Sequence, residues 1–167
     1  MVTHALPSRD DVMRILGDVM DPEVPVISVV DLGIIRDVVI GAGRVTVSVT
    51  PTYSGCPALQ VIEDDIRAAL AQHGCTDVDI VTVYSPAWTT DWIGSEAREK
   101  LRAFGIAPPG RVEEDDLVAL TRRRPPVRCP YCGSLGTQLR SEFGSTACKA
   151  IHFCHACHQP FDEFKSI

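Results

Sequence analysis

The chain has 167 residues, 45% of them hydrophobic and 23% charged, a balance that excludes disorder along its whole length. The net charge of −6 at pH 7, without a basic patch, argues against general binding to the phosphate backbone of nucleic acids. No long apolar run could span a membrane and no signal-peptide pattern opens the chain, so a cytoplasmic protein is expected.

The first elements in chain order predict a helix and a hairpin. Ser8, with Asp11 three residues later, is a capping pair before an amphipathic stretch, so a first helix is expected there. Residues 34–40 and 45–49 are β-branched runs on either side of a Gly-Ala-Gly turn. This pattern indicates a β-hairpin with one buried face.

The next elements complete a small domain. A second helix is expected to begin at Pro57, because proline favours the first helical position, and residues 78–84 form a third strand. Ser95 is expected to cap a third helix. The order α-β-β-α-β-α predicts an α+β fold with a small, mostly three-stranded sheet and helices.

Residues 107–127 have the composition of a boundary. They combine Pro-rich ends with four consecutive acids and an arginine run, which suit either a solvated linker or a short helix over residues 113–120. We therefore expect a first domain over residues 1–107, a linker over 108–127 and a second domain over 128–167.

The second domain contains two CxxC pairs, which are Cys129 with Cys132 and Cys154 with Cys157. Four thiolates at this spacing close a tetrahedral zinc site, and the residues between the pairs are long enough to form a hairpin. So short a segment buries too little apolar surface to fold alone, whereas a structural zinc contributes about 10–16 kcal/mol. We predict a zinc-ribbon-like domain with four cysteine ligands that hold the metal permanently.

Other interpretations of this segment remain open. The same four sulfurs suit iron or an iron–sulfur cluster. His155 and His158 flank Cys157 and either replace a ligand or are exposed polar residues of the turn. Cys148 is either a small buried hydrophobic residue or a redox or transient metal ligand.

Cys56 is the candidate functional residue of the first domain. If Pro57 is the first helical residue, Cys56 is the N-cap, and the helix dipole favours its thiolate. The alternative is a cysteine that fits a tight turn by size alone. Asp21, Glu23 and Asp31 lie in loops that a compact domain could bring close, and carboxylates with a thiolate form a mixed ligand set suited to iron.

Three further features have weaker functional interpretations. A nucleophilic Cys/His pair is disfavoured because His73 lies at the far end of the second helix from Cys56. Cys75 follows a helix end and is interpreted as structural. Three aromatic residues form either a docking surface or core packing: Tyr84, Trp88 and Trp92.

Several motifs together resemble a known family. The Asp-Pro-Glu at residues 21–23, the Asp-Leu-Gly at 31–33 and the threonine-rich approach to Cys56 resemble a SufT-like iron–sulfur assembly domain. With residues 86–92, 143–150 and the two CxxC turns, the chain resembles the D subunit of the bacterial phenylacetyl-CoA epoxidase system, the PaaD type.

The resemblance implies an accessory protein of phenylacetate catabolism that is not itself an enzyme. It would assist maturation of the iron–sulfur cluster or iron site of the epoxidase reductase and oxygenase subunits, with the [2Fe–2S] reductase as recipient, alongside the iron–sulfur assembly machinery. Cys56 would handle iron or a cluster transiently, supported by Asp21, Glu23 and Asp31. Leu59-Gln60 stands where some relatives have Thr-Glu, so an acidic helper is not expected there.

Two alternative functions compete with maturation. The chain could be a structural adaptor that docks epoxidase subunits without metal transfer. A zinc ribbon that binds nucleic acid is disfavoured, because residues 128–167 have a net charge of only +1, from 4 basic and 3 acidic side chains.

Overall fold

The computed structural model describes residues 7–110 and 125–167. The chain divides into two compact units, Met1–Trp88 and Thr89–Ile167. No helix in the described ranges has both the length and the apolar character that crossing a membrane requires.

The first unit is an α+β fold built on a three-stranded sheet in the order β1-β2-β3. Strands β1 and β2 are antiparallel, whereas β2 and β3 are parallel, and helix α2 makes the crossover that parallel strands require. The elements are α1 (Arg9–Leu16), β1 (Ile35–Gly41), β2 (Arg44–Val49), α2 (Leu59–Gln72) and β3 (Val78–Thr82). The predicted order and hairpin are confirmed.

Local sequence explains the start of α1. The Ser8 side chain accepts the Asp11 N–H at 3.1 Å, and the Asp11 carboxylate accepts the Ser8 N–H at 3.2 Å. This reciprocal pair satisfies two donors that a helix start would otherwise leave without partners. The predicted capping pair is confirmed, and Val12 and Leu16 are fully buried on the inner face of α1.

Helix α2 starts later than predicted. Ala58 is its N-cap, and Leu59 is its first residue, so the expected start at Pro57 and the N-cap role of Cys56 are wrong. The Cys56 N–H donates to Tyr53 O at 3.2 Å, which closes a separate turn before the helix begins. Within α2 the buried face is the one that the sequence predicted, because Ile62, Ile66 and Leu70 are buried.

Trp88 belongs to the core of the first unit. It is 4% exposed, and its Nε1–H donates to the Leu32 carbonyl oxygen at 3.0 Å. Core packing is therefore the correct interpretation of Trp88. Tyr84, beyond the end of β3, is 60% exposed and keeps its ring available.

The second unit contains a four-stranded sheet in the order β4-β7-β6-β5. Strands β5 and β6 form the expected antiparallel hairpin between the CxxC pairs, and β4 lies parallel to β7. Gly94, not the predicted Ser95, is the N-cap of the third helix, which spans Ser95–Ala103. The elements are a 3₁₀ turn (Thr90–Trp92), α3 (Ser95–Ala103), β4 (Ile106–Ala107), β5 (Thr137–Ser141), β6 (Lys149–Cys154) and β7 (Pro160–Phe164).

The second unit begins earlier in the chain than the boundary expected from composition. The sequence pattern placed the third helix and the residues up to 107 in the first domain, but α3 and β4 fall in the compact unit that contains the CxxC pairs. The reason is long-range pairing, since Ile106 and Ala107 align with Asp162 and Glu163 of β7. The acidic and arginine-rich core of the expected linker, with its alternative helix over 113–120, lies outside the described residues.

Hydrogen bonds tie the start of the second unit to its end. Ile167 O accepts the Thr90 N–H at 3.1 Å and the Thr89 hydroxyl at 2.9 Å. Arg98 of α3 donates to the carbonyl oxygens of Thr90 and Ile93. These bonds satisfy main-chain acceptors outside regular secondary structure.

The turn after α3 packs against the first CxxC turn. Gly105 has a φ of +90°, which favours glycine, and a Cβ added there would lie 2.5 Å from Tyr131 Oη. Tyr131 stands between Cys129 and Cys132, so this contact fixes the end of α3 against the cysteine-rich turn.

Candidate functional site

The Asp21 loop shapes one side of the site in the first unit. Asp21 is 6% exposed, and its Oδ1 accepts the N–H groups of Glu23 at 2.8 Å and Val24 at 2.7 Å. The carboxylate thereby holds the turn that sets the position of Glu23. Asp21 thus has a structural function as well as a place in the candidate site.

Asp31 lies in a second turn of the same unit. Its carboxylate accepts the Ser28 N–H at 3.1 Å, and the Ser28 hydroxyl accepts the Asp31 N–H at 3.0 Å. This pair is the loop counterpart of a capping box, because each side chain satisfies the other residue's backbone donor. The supporting role expected for Asp31 stays a prediction.

Cys56 lies half-buried within the electrostatic influence of Glu23 and Asp21. Burial raises the pKa of the Cys56 thiol above its ordinary value, and the charges of Glu23 and Asp21 raise it further. Hydrogen bonds from the Ala58 N–H and the Thr52 side chain act in the opposite direction but do not prevail. This direction is opposite to the one expected for Cys56 as a helix N-cap, which would have favoured the thiolate.

The same charges have the opposite effect on a cation. Two carboxylates that disfavour a thiolate attract a divalent metal ion, and binding of that ion would displace the thiol proton. Within the described ranges, however, Asp21, Glu23 and Cys56 do not form a converging ligand set like that of the second unit. The transient handling of iron or a cluster by these residues stays a prediction.

Threonines add a feature that the residue patterns did not identify. Hydrogen bonding from the Thr52 side chain lowers the pKa of the Cys56 thiol, although burial has the larger effect. Thr50, at the end of β2, is 1% exposed, and its Oγ1 is buried without a hydrogen-bond partner. A buried hydroxyl without a partner is costly, so Thr50 is a candidate for contact with a bound group. In the sequence, the threonines that precede Cys56 were the signal that could have identified Thr50 and Thr52.

The second unit brings four cysteine sulfurs together. The Sγ atoms of Cys129 and Cys157 are 3.7 Å apart, and those of Cys132 and Cys154 are 3.6 Å apart. All four lie within 4.8 Å of one another. A tetrahedral zinc ion with zinc–sulfur bonds of about 2.3 Å requires sulfurs about 3.8 Å apart, so the four residues fit one ion.

The neighbouring backbone favours anionic sulfur at one position of this cluster. N–H groups of Cys157 and Ala156 lower the pKa of Cys154 to about 7. Burial and the adjoining thiols raise the pKa of Cys157 to about 12, because clustered sulfurs without a cation resist becoming jointly negative. A bound divalent ion removes that repulsion, since ligating thiols are deprotonated.

The remaining cysteines and histidines have simple surroundings. Cys148 is buried, and its sulfur lies 3.1 Å from Thr146 Oγ1, in keeping with a small buried residue. Cys75 is buried as well. His155 and His158 are exposed, and the converging group found in the described ranges contains the four cysteines without them.

Comparison with family models covers both units. Residues 9–83 match the model of an iron–sulfur cluster assembly protein, and residues 113–165 match the PaaD zinc beta ribbon domain. The first match contains Cys56 with its acidic neighbours, and the second contains all four clustered cysteines. The four-cysteine cluster is thus a metal-binding site of the zinc-ribbon kind.

Known proteins resemble the chain over its whole length or over its first part. A protein of Escherichia coli, provisionally named as the D subunit of 1,2-phenylacetyl-CoA epoxidase, is 45% identical over 100% of this chain and 98% of its own. An Fe-S protein maturation auxiliary factor of Porphyromonas gingivalis is 40% identical over 60% of this chain and 97% of its own.

A solved structure supports the fold of the first part. A conserved hypothetical protein of Thermotoga maritima is 30% identical, with a TM-score of 0.51, over 59% of this chain and 98% of its own. Together with the full-length relative and the two domain models, this shows that the chain belongs to the PaaD-type family of phenylacetyl-CoA epoxidase accessory proteins, which join a SufT-like iron–sulfur assembly domain to a zinc ribbon.

Proposed function

We propose that this chain is an accessory protein of phenylacetate degradation that assists assembly of an iron–sulfur cluster or iron site in the phenylacetyl-CoA epoxidase system. The [2Fe–2S] reductase is the proposed recipient, and the oxygenase subunits and the iron–sulfur assembly machinery are the other proposed partners. The role is non-catalytic, since the protein passes on a metal or cluster without converting a substrate. The family and the relatives named for iron–sulfur maturation support this proposal.

One observation carries the proposal. Cys56 is a half-buried thiol beside two acidic residues, and burial together with the charges of Glu23 and Asp21 raises its pKa. Such a thiol becomes a good ligand only when a cation arrives, and it regains its proton when the cation leaves. A carrier needs this reversibility, because it must release what it binds.

The first experiment compares two cysteine variants of the same unit. The reductase is co-expressed with the wild-type chain, with Cys56→Ala or with Cys75→Ala, then purified and assayed for iron and acid-labile sulfide. We expect cluster content to fall only with Cys56→Ala, provided that circular dichroism shows both variants folded. Full cluster occupancy with Cys56→Ala would refute the role of this thiol.

A second experiment tests the acidic neighbours through two opposite effects. Glu23→Gln removes a negative charge at nearly constant shape, so it should lower the Cys56 pKa and speed alkylation by iodoacetamide at pH 8. The same change should weaken binding of Fe²⁺ measured anaerobically, because the cation loses an attractive charge. Arg67→Gln, on the outer side of α2, is a control for a surface change. Faster alkylation without weaker Fe²⁺ binding would contradict a role for Glu23 in metal binding.

The adaptor function remains the second candidate, supported by the exposed ring of Tyr84. In that case, omitting the chain changes how the epoxidase subunits associate while each subunit keeps its full metal content. Tyr84→Ala with the co-expressed subunits distinguishes the two functions, because only an adaptor loses complex assembly without loss of cluster.

A further inference from the structure

The four cysteines of the second unit differ sharply in exposure. Cys129 is 1% exposed and Cys154 is 0% exposed, whereas Cys132 is exposed and Cys157 is only partly covered. The cluster therefore has a buried side and an open side. Each CxxC pair contributes its first cysteine to the buried side and its second to the open side.

Backbone bonds and core packing hold the buried side. Cys129 donates its N–H to Ser134 O at 2.9 Å, and Cys154 donates its N–H to Gln159 O at 3.0 Å. Both residues pack in one apolar cluster with Ala107 and Phe161, and the partly buried Cys157 packs against this cluster, which leaves Cys132 as the exposed member. The first cysteine of each pair is thus part of the fold itself.

We propose that the metal site has an exchange face at Cys132, with Cys157 at its edge: Cys132 would be the first thiolate to leave a bound ion, and the ion would accept an incoming ligand in its place. Cys129 and Cys154 retain the ion during the exchange. An incoming donor, such as a thiol or a chelator, takes the position of Cys132, and the freed thiolate is hydrated or takes a proton from water. The metal keeps its oxidation state throughout.

The difference in solvation gives the physical reason. A thiolate that leaves the metal must be stabilised by water, and water reaches Cys132. If Cys154 left instead, an ionised sulfur would remain beside Phe161 in the apolar cluster, where an unpaired charge is costly. Exchange through the open side is therefore favoured, in contrast to the permanently closed site expected from the cysteine pattern.

This inference rests on the geometry of the four cysteines alone and does not depend on Cys56. Its test is thus independent of the maturation role. If the exchange face is absent, the proposed function of the first unit is unaffected. If the proposed function is wrong, the exchange face is unaffected.

The experiment uses the full chain loaded with zinc and treated with N-ethylmaleimide in less than equimolar amounts. Modified sites are located by peptide mapping, and released zinc is measured with a colorimetric chelator. Trypsin cleavage after Arg128 and Arg140 places Cys129 and Cys132 on one peptide, in which fragment ions separate the two sites. We expect Cys132 to be labelled before Cys129 and Cys154, and zinc to pass to the chelator faster once Cys132 is labelled.

Variants give a second measurement. Cys132→Ser should keep the fold and bind zinc with three thiolates, but release it to the chelator faster than the wild type. Cys154→Ser should lose zinc and the fold of the second unit together, as judged by circular dichroism. Labelling of Cys129 or Cys154 as fast as Cys132 would overturn the proposal, even if the variants fail to fold. Zinc loss that precedes labelling of Cys132 would overturn it as well.

Discussion

The contact between Gly105 and Tyr131 allows the union of α3 with the zinc ribbon to be tested quantitatively. Gly105→Ala meets two separate costs. A residue other than glycine at a φ of +90° costs about 1–2 kcal/mol, because Cβ approaches the backbone. The added Cβ would also lie 2.5 Å from Tyr131 Oη, but this side chain is 58% exposed and can turn toward solvent, so relieving the overlap costs about 1 kcal/mol, the low end for overpacking.

The matched control is Gly133→Ala in the same unit. Gly133 has a φ of +75°, but nothing lies within 4 Å of its added Cβ, so only the backbone cost of about 1–2 kcal/mol applies. We therefore expect Gly105→Ala to reduce the free energy of unfolding by about 2–3 kcal/mol in total, about 1 kcal/mol more than the control.

The assay is urea unfolding of the zinc-loaded chain, followed by far-ultraviolet circular dichroism. Tyr131→Ala removes the group that the new Cβ meets, so the double variant should recover the overpacking cost and leave the backbone cost. This double-mutant cycle measures the contact directly. Equal losses for Gly105→Ala and Gly133→Ala, or no recovery in the double variant, would refute the packing argument.

Three further predictions follow from features described above. Ser8→Ala should lower the unfolding free energy by about 1 kcal/mol through loss of the cap, measured by thermal unfolding against Ser54→Ala, an exposed control residue. The alkylation rate of Cys56 is obtained by subtracting the rate of the Cys56→Ala variant from that of the wild type. It should rise with pH and reach half its maximum above pH 9.0, because only the thiolate reacts and the pKa of this thiol is raised from that ordinary value. A midpoint below pH 9.0 would contradict the direction of the shift. A fragment of residues 89–167 should fold on adding zinc, whereas a fragment of residues 128–167 should not, because the shorter fragment lacks β4. An equal change in circular dichroism on adding zinc to the two fragments would contradict the role of β4.

The local chemistry of the chain was predictable where it depends on near neighbours. The Ser8–Asp11 cap, the β1–β2 hairpin and the inner face of α2 each follow from residues only a few positions apart. The two CxxC pairs were equally informative, because the ligand spacing itself encodes the tetrahedral site.

Long-range features were not predictable in the same way. The two residues of β4 are too few for a periodic pattern, and their pairing with β7 spans more than half of the second unit. The prediction for the surroundings of Cys56 failed for another reason. Pro57 favours a helix start, but the turn closed by Tyr53 delays α2, and burial then outweighs the donors around the thiol.

The hydrogen bonds between Ile167 and the Thr89–Thr90 segment mean that the two ends of the second unit meet. A module whose ends are adjacent can be inserted into a surface loop of another protein without stretching either junction. The same closure makes the unit a candidate for circular permutation, with residues 167 and 89 joined by a short link and new ends opened elsewhere. If residues 89–167 fold on adding zinc, as predicted, their adjacent ends would let the folding of this unit report zinc loading inside a host protein.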